Sequence, residues 1–361
     1  MKLICNKEKC FGCRVCEKSC PKKAIKMIED EKGFLYPEID EKICNNCGIC
    51  KKVCPSLDKM PDLVPLKIYA CKNKDAEKRN SSSSGGVFQE IANLVLQMNG
   101  SIYGASFNND NKVVHIRGNS IDDLEKIKKS KYVQSDMEYV FDCINQDIKQ
   151  DKYVLFSGTP CQVQAIKNYK NLTNTKILTV DIVCHGVPSP KIFEDYKKYL
   201  EKIYNSKIVS IKFRHKNEKS TQNIKVDFEN GQSYISNFSE GDIFYSLFLK
   251  NIILRDSCYD CKYKNLNRIS DITLGDFWGY QNGSAKEFGD KKGISLVLIN
   301  TKKGMDIFDK IKNNIEFFEI SKEECYPYNC FFNFEVPKEY NEIWKEYMEK
   351  GFESIINNTK S

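Results

Sequence analysis

The sequence predicts a mixed α/β (α+β) chain in two parts: a small N-terminal domain wrapped around cysteines, then a larger domain built on a mixed sheet. Three observations predict it. A cysteine-rich stretch occurs twice before residue 56. Beyond it, apolar strand-like runs alternate with segments of helical periodicity. Two of those runs end in turns that carry a cysteine, Cys161 and Cys184.

The two copies of the first feature are CFGCRVCEKSCP (10–21) and CNNCGICKKVCP (44–55). Both spell C-x2-C-x2-C-x3-C-P, the bacterial ferredoxin pattern. Three thiolates in one tight turn cap three corners of an iron–sulfur cube, and the cysteine before the proline reaches the other cube. Cys10, Cys13, Cys16 and Cys54 therefore form one 4Fe–4S set, and Cys44, Cys47, Cys50 and Cys20 the other. Gly12 and Gly48 let the backbone crowd the sulfides; Pro21 and Pro55 end each helical turn. A zinc reading has little room beside eight cysteines in two identical copies. Between the copies, FLYPEID has strand character. Cys5 lies outside both motifs and reads as a small buried apolar residue. A bacterial-type two-cluster ferredoxin domain is thus expected over residues 1–60. DKMPDLVPLK (58–67), with two prolines and no strong periodicity, places a linker at 61–67.

Composition agrees. A chain of 361 residues, 41% hydrophobic, holds one large core and an accessory domain. Seventeen cysteines would suit a disulfide scaffold only in a short secreted chain. MKLICNKEKC has no apolar leader, so metal is the expected use and the cytoplasm the expected place. No apolar run reaches spanning length: FYSLFLKNIILRD is broken at Lys250 and Arg255. The net charge of +7 is spread along the chain. It suits a solvated surface, anionic cofactors or an acidic redox partner. No nucleic-acid reader motif accompanies it.

The large domain is expected over 68–335, with a C-terminal helix over 336–361. IYACKN (68–73) is a first strand. In NSSSSGGVFQEIANLVLQMNG (80–100), Val87, Ile91, Leu94, Val95 and Met98 share one helical face, with a serine as N-cap. SSSSGG at its entry offers hydroxyls and backbone N–H groups to an anion such as a dinucleotide pyrophosphate; it also fits a flexible linker. SIYGASF and KVVHIR form a hairpin, and SIDDLEKIKKS a helix. KYVQSD (131–136) is a cofactor clamp or a turn. YVLFS then GTPCQVQAI is strand, turn and helix, the helix starting near Gln162. ILTVDIVCHG repeats the pattern, with Cys184 at the strand exit. IVSIKFRHK (208–216) and NIKVDFENGQSYIS (223–236) alternate as antiparallel strands flanking the main sheet. DITLGDFWGY (271–280) and GISLVLINT (293–301) are further strands.

CYDC (258–261) supplies one more C-x2-C. Cys161, Cys184, Cys258 and Cys261 then describe a closed metal site. A rival set, Cys258 and Cys261 with Cys325 and Cys330, would bind zinc. Under a third reading Cys184 is a nucleophile with His185 as its base, a thiol enzyme. Adjacent residues rarely face each other, which weighs against it.

SSSSGGVF, SKYVQSD, GTPCQ, CHGVPS, C-x2-C and DITLGDFWG, in this order, resemble the beta-subunit family of coenzyme F-420 (deazaflavin) hydrogenases and dehydrogenases, from about residue 66 to about 335. A fused two-cluster ferredoxin domain also occurs in that family. The resemblance implies a non-covalent FAD and a third 4Fe–4S cluster held by Cys161, Cys184, Cys258 and Cys261. It puts Ser82, Ser84, Gly85, Gly86, Lys131, Tyr132, Gln134 and Ser135 near the flavin, with Thr159, His185, Gly186, Asp276 and Trp278 lining the same cavity. The implied protein is an iron–sulfur flavoprotein oxidoreductase. It couples hydride exchange with an organic donor or acceptor, the deazaflavin or another, to one-electron transfer through 4Fe–4S clusters toward a ferredoxin or other redox partner. Lys131 would stabilise reduced flavin and His185 relay a proton. The alternative is a non-catalytic electron-transfer subunit of a larger redox complex.

Overall fold

The computed structural model describes residues 3–356 except 61–63, 170–175, 219, 238, 291, 327–328 and 330. The N-terminal domain has pseudo-symmetric halves. Strands β1 (Ile25–Glu29) and β2 (Leu35–Ile39) pair antiparallel, Ile25 opposite Ile39. Helical turns α1 (Val15–Lys18) and α2 (Ile49–Lys52) each carry the third cysteine of one motif and touch each other. Ile4, Ile25 and Ile39 pack with the cysteines as the core of this domain.

The large domain opens with β3 (Lys67–Asn73), α3 (Ala76–Asn80) and α4 (Val87–Gln97), then β4 (Ser101–Phe107), β5 (Val113–Gly118), α5 (Ile121–Ile127) and α6 (Val140–Lys149). Next come β6 (Val154–Gly158), α7 (Pro160–Asn168), β7 (Ile177–Ile182) and α8 (Pro190–Tyr204). Strands β8 (Ile208–His215), β9 (Asn223–Phe228) and β10 (Ser233–Ser236) precede α9 (Ile243–Leu249). The chain closes with β11 (Ile272–Asp276), β12 (Ser295–Ile299), α10 (Lys302–Ile311), β13 (Ile315–Glu319), α11 (Lys322–Cys325) and α12 (Tyr340–Lys350).

Eight strands form the main sheet in the order β13-β3-β12-β11-β7-β6-β4-β5. The middle four, β11, β7, β6 and β4, run parallel and the flanks antiparallel. Alternation along the parallel strands feeds two cores. Leu155 and Leu178 face α4, α5 and α10, whereas Val154, Phe156 and Ile177 face α6 and α7. Val87, Ile91 and Val95 of α4 are fully buried, each worth about 1.5–3 kcal/mol.

The antiparallel strands β8, β9 and β10 flank the main sheet as a separate sheet of three, order β10-β9-β8, packed with α8, α9 and α12. Alternation fixes a strand's two faces but not the sheet it joins. Two details differ from the sequence reading. Helix α7 starts at Pro160, two residues before Gln162: proline suits the first helical position, and Thr159 with Gln162 closes a capping box. The N-cap of α4 is Gly86, left-handed at φ 89°, with no side-chain cap. Ser82 is occupied instead by the Lys78 carbonyl and Ser84 by the Ile294 carbonyl. At the C-terminus α12 and a 3-10 turn at Phe352–Ile355 are helical; 357–361 lie outside the described residues.

The two domains share one core. Cys13, Val15 and Val53 of the small domain pack with Val163, Ile166 and Tyr263 of the large one. Arg14 Nη2 donates to Asp136 Oδ2 at 2.7 Å, and Gln134 Nε2 to the Phe11 carbonyl at 3.0 Å.

Candidate redox site

The two cysteine motifs interlock. Cys10 and Cys54 bear electrostatically on both Cys13 and Cys16. Cys20, Cys44 and Cys47 bear likewise on Cys50. The structure thus brings together two crossed sets of four thiols. Gly12 and Gly48 both take positive φ, 65° and 74°, where the chain doubles back. The first set is buried throughout; in the second, Cys47 is exposed and the others half-buried. Cys5 is half-buried and packs on the small-domain core as expected, beside Cys10 and Cys54.

A second assembly of thiols lies in the large domain. β6 and β7 are parallel neighbours, Phe156 opposite Thr179. Cys161 sits in the first turn of α7 just past β6, and Cys184 just past β7. Cys258 and Cys261 come from the loop before β11. All four line one cavity, partly open to solvent, together with Arg255 and Lys264. This is the carboxyl end of the parallel strands, where α/β folds place their ligands.

The chemistry of this set fits a cluster. Burial, then the neighbouring Cys261, pushes the Cys161 thiol up to about 12; burial and Cys261 push Cys258 up to about 11. Burial raises Cys184 well above the usual range. Crowded buried thiols ionise when a cation binds them. The four cysteines line one cavity from three separate segments, a donor set that fits a four-thiolate cluster. In the rival zinc set, Cys325 is buried beside its own helix and its thiol donates to the Lys322 carbonyl; Cys330 lies outside the described residues.

A nucleophile needs a lowered thiol pKa; burial raises that of half-buried Cys184 instead. His185 faces away from it. The ring stacks on Phe334 (centroids 5.1 Å apart), meets Phe248 edge-on at 5.0 Å and hydrogen-bonds Asn251. Burial, with the Lys264 charge, pulls His185 down to about 4, so the ring is neutral at pH 7.

The residues expected near a flavin fall in three places. Thr159 and Gly186 line the thiol cavity, with the Thr159 hydroxyl 3.1 Å from Cys161 Sγ. Gln134 and Ser135 lie toward the small domain. Ser135 bonds His115 Nδ1 at 2.8 Å and accepts from Gln162 Nε2 at 2.9 Å, bracing the start of α7. The rest gather around β8. Arg214 donates to Tyr132 at 3.2 Å and to both oxygens of Asp276, and covers half-exposed Trp278 at 5.7 Å. Two residues on, Lys216 Nζ donates to the Ser84 carbonyl at 2.8 Å. Gly85 packs between β3 and β12, its N–H 3.0 Å from Ser295 Oγ. Lys131 turns back on α5, its ammonium donating to the carbonyls of Lys126, Ile127, Lys128 and Lys129.

Charge marks this last region. Burial, then Arg214, Arg79 and Lys129, pull Lys216 down to about 8. Burial, then Lys128 and Lys212, lower Lys129. Mutually repelling cations beside an α4 N-terminus that no side chain caps suit a bound pyrophosphate. Tyr132 stacks on Phe248 at 5.1 Å, so an aromatic wall leads from this region to His185.

Residues 151–323 match the family described as the C-terminal part of the coenzyme F420 hydrogenase/dehydrogenase beta subunit. That match spans most of the large domain from β6 onward. Residues 9–57 match the 4Fe–4S dicluster domain. A chain of the xenon-derivatised F420-reducing NiFe hydrogenase complex from Methanosarcina barkeri is similar at 15% identity and a TM-score of 0.49, over 84% of this chain and 94% of that one. No curated protein matches the chain. The dicluster match makes the chain an iron–sulfur electron-transfer protein, and none of its described helices is long and apolar enough to cross a membrane. Sequence reasoning missed Arg214, Lys216, Arg255 and Lys264 at its sites. The latter two stand three residues outside either end of C-x2-C, the one local hint of cavity cations.

Proposed function

We propose that this chain is an iron–sulfur flavoprotein oxidoreductase that connects an organic hydride donor or acceptor to a one-electron carrier. Cys10, Cys13, Cys16 and Cys54 hold one cluster, Cys20, Cys44, Cys47 and Cys50 the second, and Cys161, Cys184, Cys258 and Cys261 a third. FAD lies between the serine–glycine loop at Ser82–Gly86 and the thiol cavity, its pyrophosphate facing Lys129 and Lys216. Bound there, clusters supply one-electron transfer and FAD supplies hydride exchange and its division into single electrons.

The carrying observation is the cavity where four thiols from three segments meet against the first cysteine motif. Phe11 lines that cavity beside Cys161. The buried first set is thus innermost and the second set outermost. The chain's own residues do the rest. Tyr132 and Trp278, held by Arg214, shape an aromatic face for a ring. Thr159 donates toward the Cys161 sulfur. Neutral His185, at the far end of the aromatic wall from Tyr132, relays a proton. Exposed Lys22, Lys23, Lys42, Lys51 and Lys52 adjoin the second set and make no ion pair with a described residue. They suit an acidic carrier such as a ferredoxin.

Anaerobic purification with metal and flavin analysis tests this. The expected result is about twelve irons, three cubes of four, and one FAD per chain. About eight irons with one zinc would end the third-cluster assignment. Full iron with no flavin, even after FAD is supplied, would leave a purely wiring subunit.

A further inference from the structure

We propose that Arg255 is a counter-ion shared by two clusters, the one on the first N-terminal motif and the one in the large-domain cavity, and that it raises the reduction potential of both. The inference rests on the cluster assignments above. Arg255 is 1% exposed. Its Nε donates to the Cys10 carbonyl at 2.6 Å, Nη2 to the Leu35 carbonyl at 2.9 Å and Nη1 to Gln134 Oε1 at 3.1 Å. Every one of those acceptors is neutral. Among the described residues it forms no ion pair, whereas buried Arg14, Arg79 and Arg214 each face a carboxylate. The guanidinium also lies over Phe34 and Tyr36, 5.3 and 4.2 Å from the ring centres.

A buried cation without an anion is costly, and neutral acceptors and rings offset only part of that. Anionic partners are available on two sides. Toward the small domain, Arg255 presses so closely on the first motif that a Cβ on Gly12 would lie 2.8 Å from Nη1. Toward the large domain, the same side chain lines the cavity with Cys161, Cys184, Cys258 and Cys261. A cube held by four thiolates carries net negative charge, which grows on reduction. A fixed positive charge beside it therefore favours the reduced state. None of the contacts above involves Cys20, Cys44, Cys47 or Cys50, so the outer cluster is the built-in control.

The test is a potentiometric titration of the full, anaerobically purified chain, followed by electron paramagnetic resonance. Arg255→Gln removes the charge. Gln134→Glu keeps the arginine and its packing but sets a carboxylate against Nη1, so it serves if the first variant folds poorly. Both are expected to shift two potentials negative and leave the third in place. Arg255→Lys, which keeps the charge and loses the fork, should shift them far less. Unchanged potentials in Gln134→Glu and Arg255→Gln would overturn the proposal. So would an equal shift of all three, or equal shifts in the Lys and Gln variants, which would report repacking. Wild-type protein with only eight irons would instead overturn the third-cluster assignment beneath it.

Discussion

Gly186→Ala tests whether the thiol cavity is as tightly specified as its packing implies. Gly186 has φ 155°, a conformation that side-chain-bearing residues seldom adopt. An added Cβ would lie 2.8 Å from Leu254 Cδ1, 3.2 Å from its Cδ2 and 3.3 Å from the Cys258 Cβ. Leu254 is fully buried, so it cannot swing aside, and Cys258 is pushed within its own cavity. Backbone strain of about 1–3 kcal/mol and overpacking of about 1–3 kcal/mol act together. Their sum, about 2–6 kcal/mol, corresponds to roughly 5–15 °C in the apparent unfolding midpoint of a large domain. Because unfolding with cluster loss is irreversible, midpoints are compared at one scan rate. Iron should fall from about twelve to about eight per chain as the cavity loses its cube. Gly231→Ala is the control: φ is 81° but the added methyl meets nothing within 4 Å. It should cost only about 1–2 kcal/mol and no iron. A Gly186→Ala protein with wild-type midpoint and iron content would refute the reasoning.

Three further outcomes are expected. Gly85→Ala drives a methyl to 2.3 Å from the Cys71 carbonyl and 2.7 Å from the Ser295 nitrogen, backbone on both sides; it should cost about 3 kcal/mol and most of the bound FAD, read by thermal unfolding and flavin absorbance. His115, buried and pulled down to about 4 chiefly by burial, keeps its proton on Nε2 facing the Ser157 carbonyl at 3.0 Å. The unfolded chain binds that proton near 6.5, so stability is full above that pH and falls through the window down to about 4, by on the order of 3 kcal/mol; nitrogen-15 spectra of the three histidines showing His115 titrating near 6.5 would contradict this. Asp136→Asn weakens the Arg14 pairing that ties the domains, and should cost about 1–2 kcal/mol given that Asp136 is partly exposed, measured as a lower unfolding midpoint.

What the sequence made legible was local. Each ferredoxin-type motif carries its thiol spacing within twelve residues, so the crossed sets could be read from the spacing alone. The strand–turn–cysteine pattern at Cys161 and Cys184 likewise implied neighbouring strands, and the sheet pairs them in parallel. What depended on distant partners stayed hidden. Nothing near Arg255 says that its guanidinium meets a carbonyl 245 positions away. Four consecutive serines do not reveal that Gly86 starts α4, because the choice is made by the Lys78 and Ile294 carbonyls that engage the hydroxyls. Alternation in β8 to β10 could not say that they leave the main sheet, since aromatic packing on α8 and α9 decides it.

The shared core has a mechanical consequence. Val15 and Val53 are sealed among large-domain side chains, so the small domain is bolted down and cannot ferry charge by swinging. Under the proposed function, traffic between the large-domain cube and the first motif's cube then behaves as hopping along a rigid wire, with a rate indifferent to glycerol or sucrose in the buffer. Only the last hand-off, at the rim beside Cys47, involves a collision, and only that stage should slow as the solvent thickens.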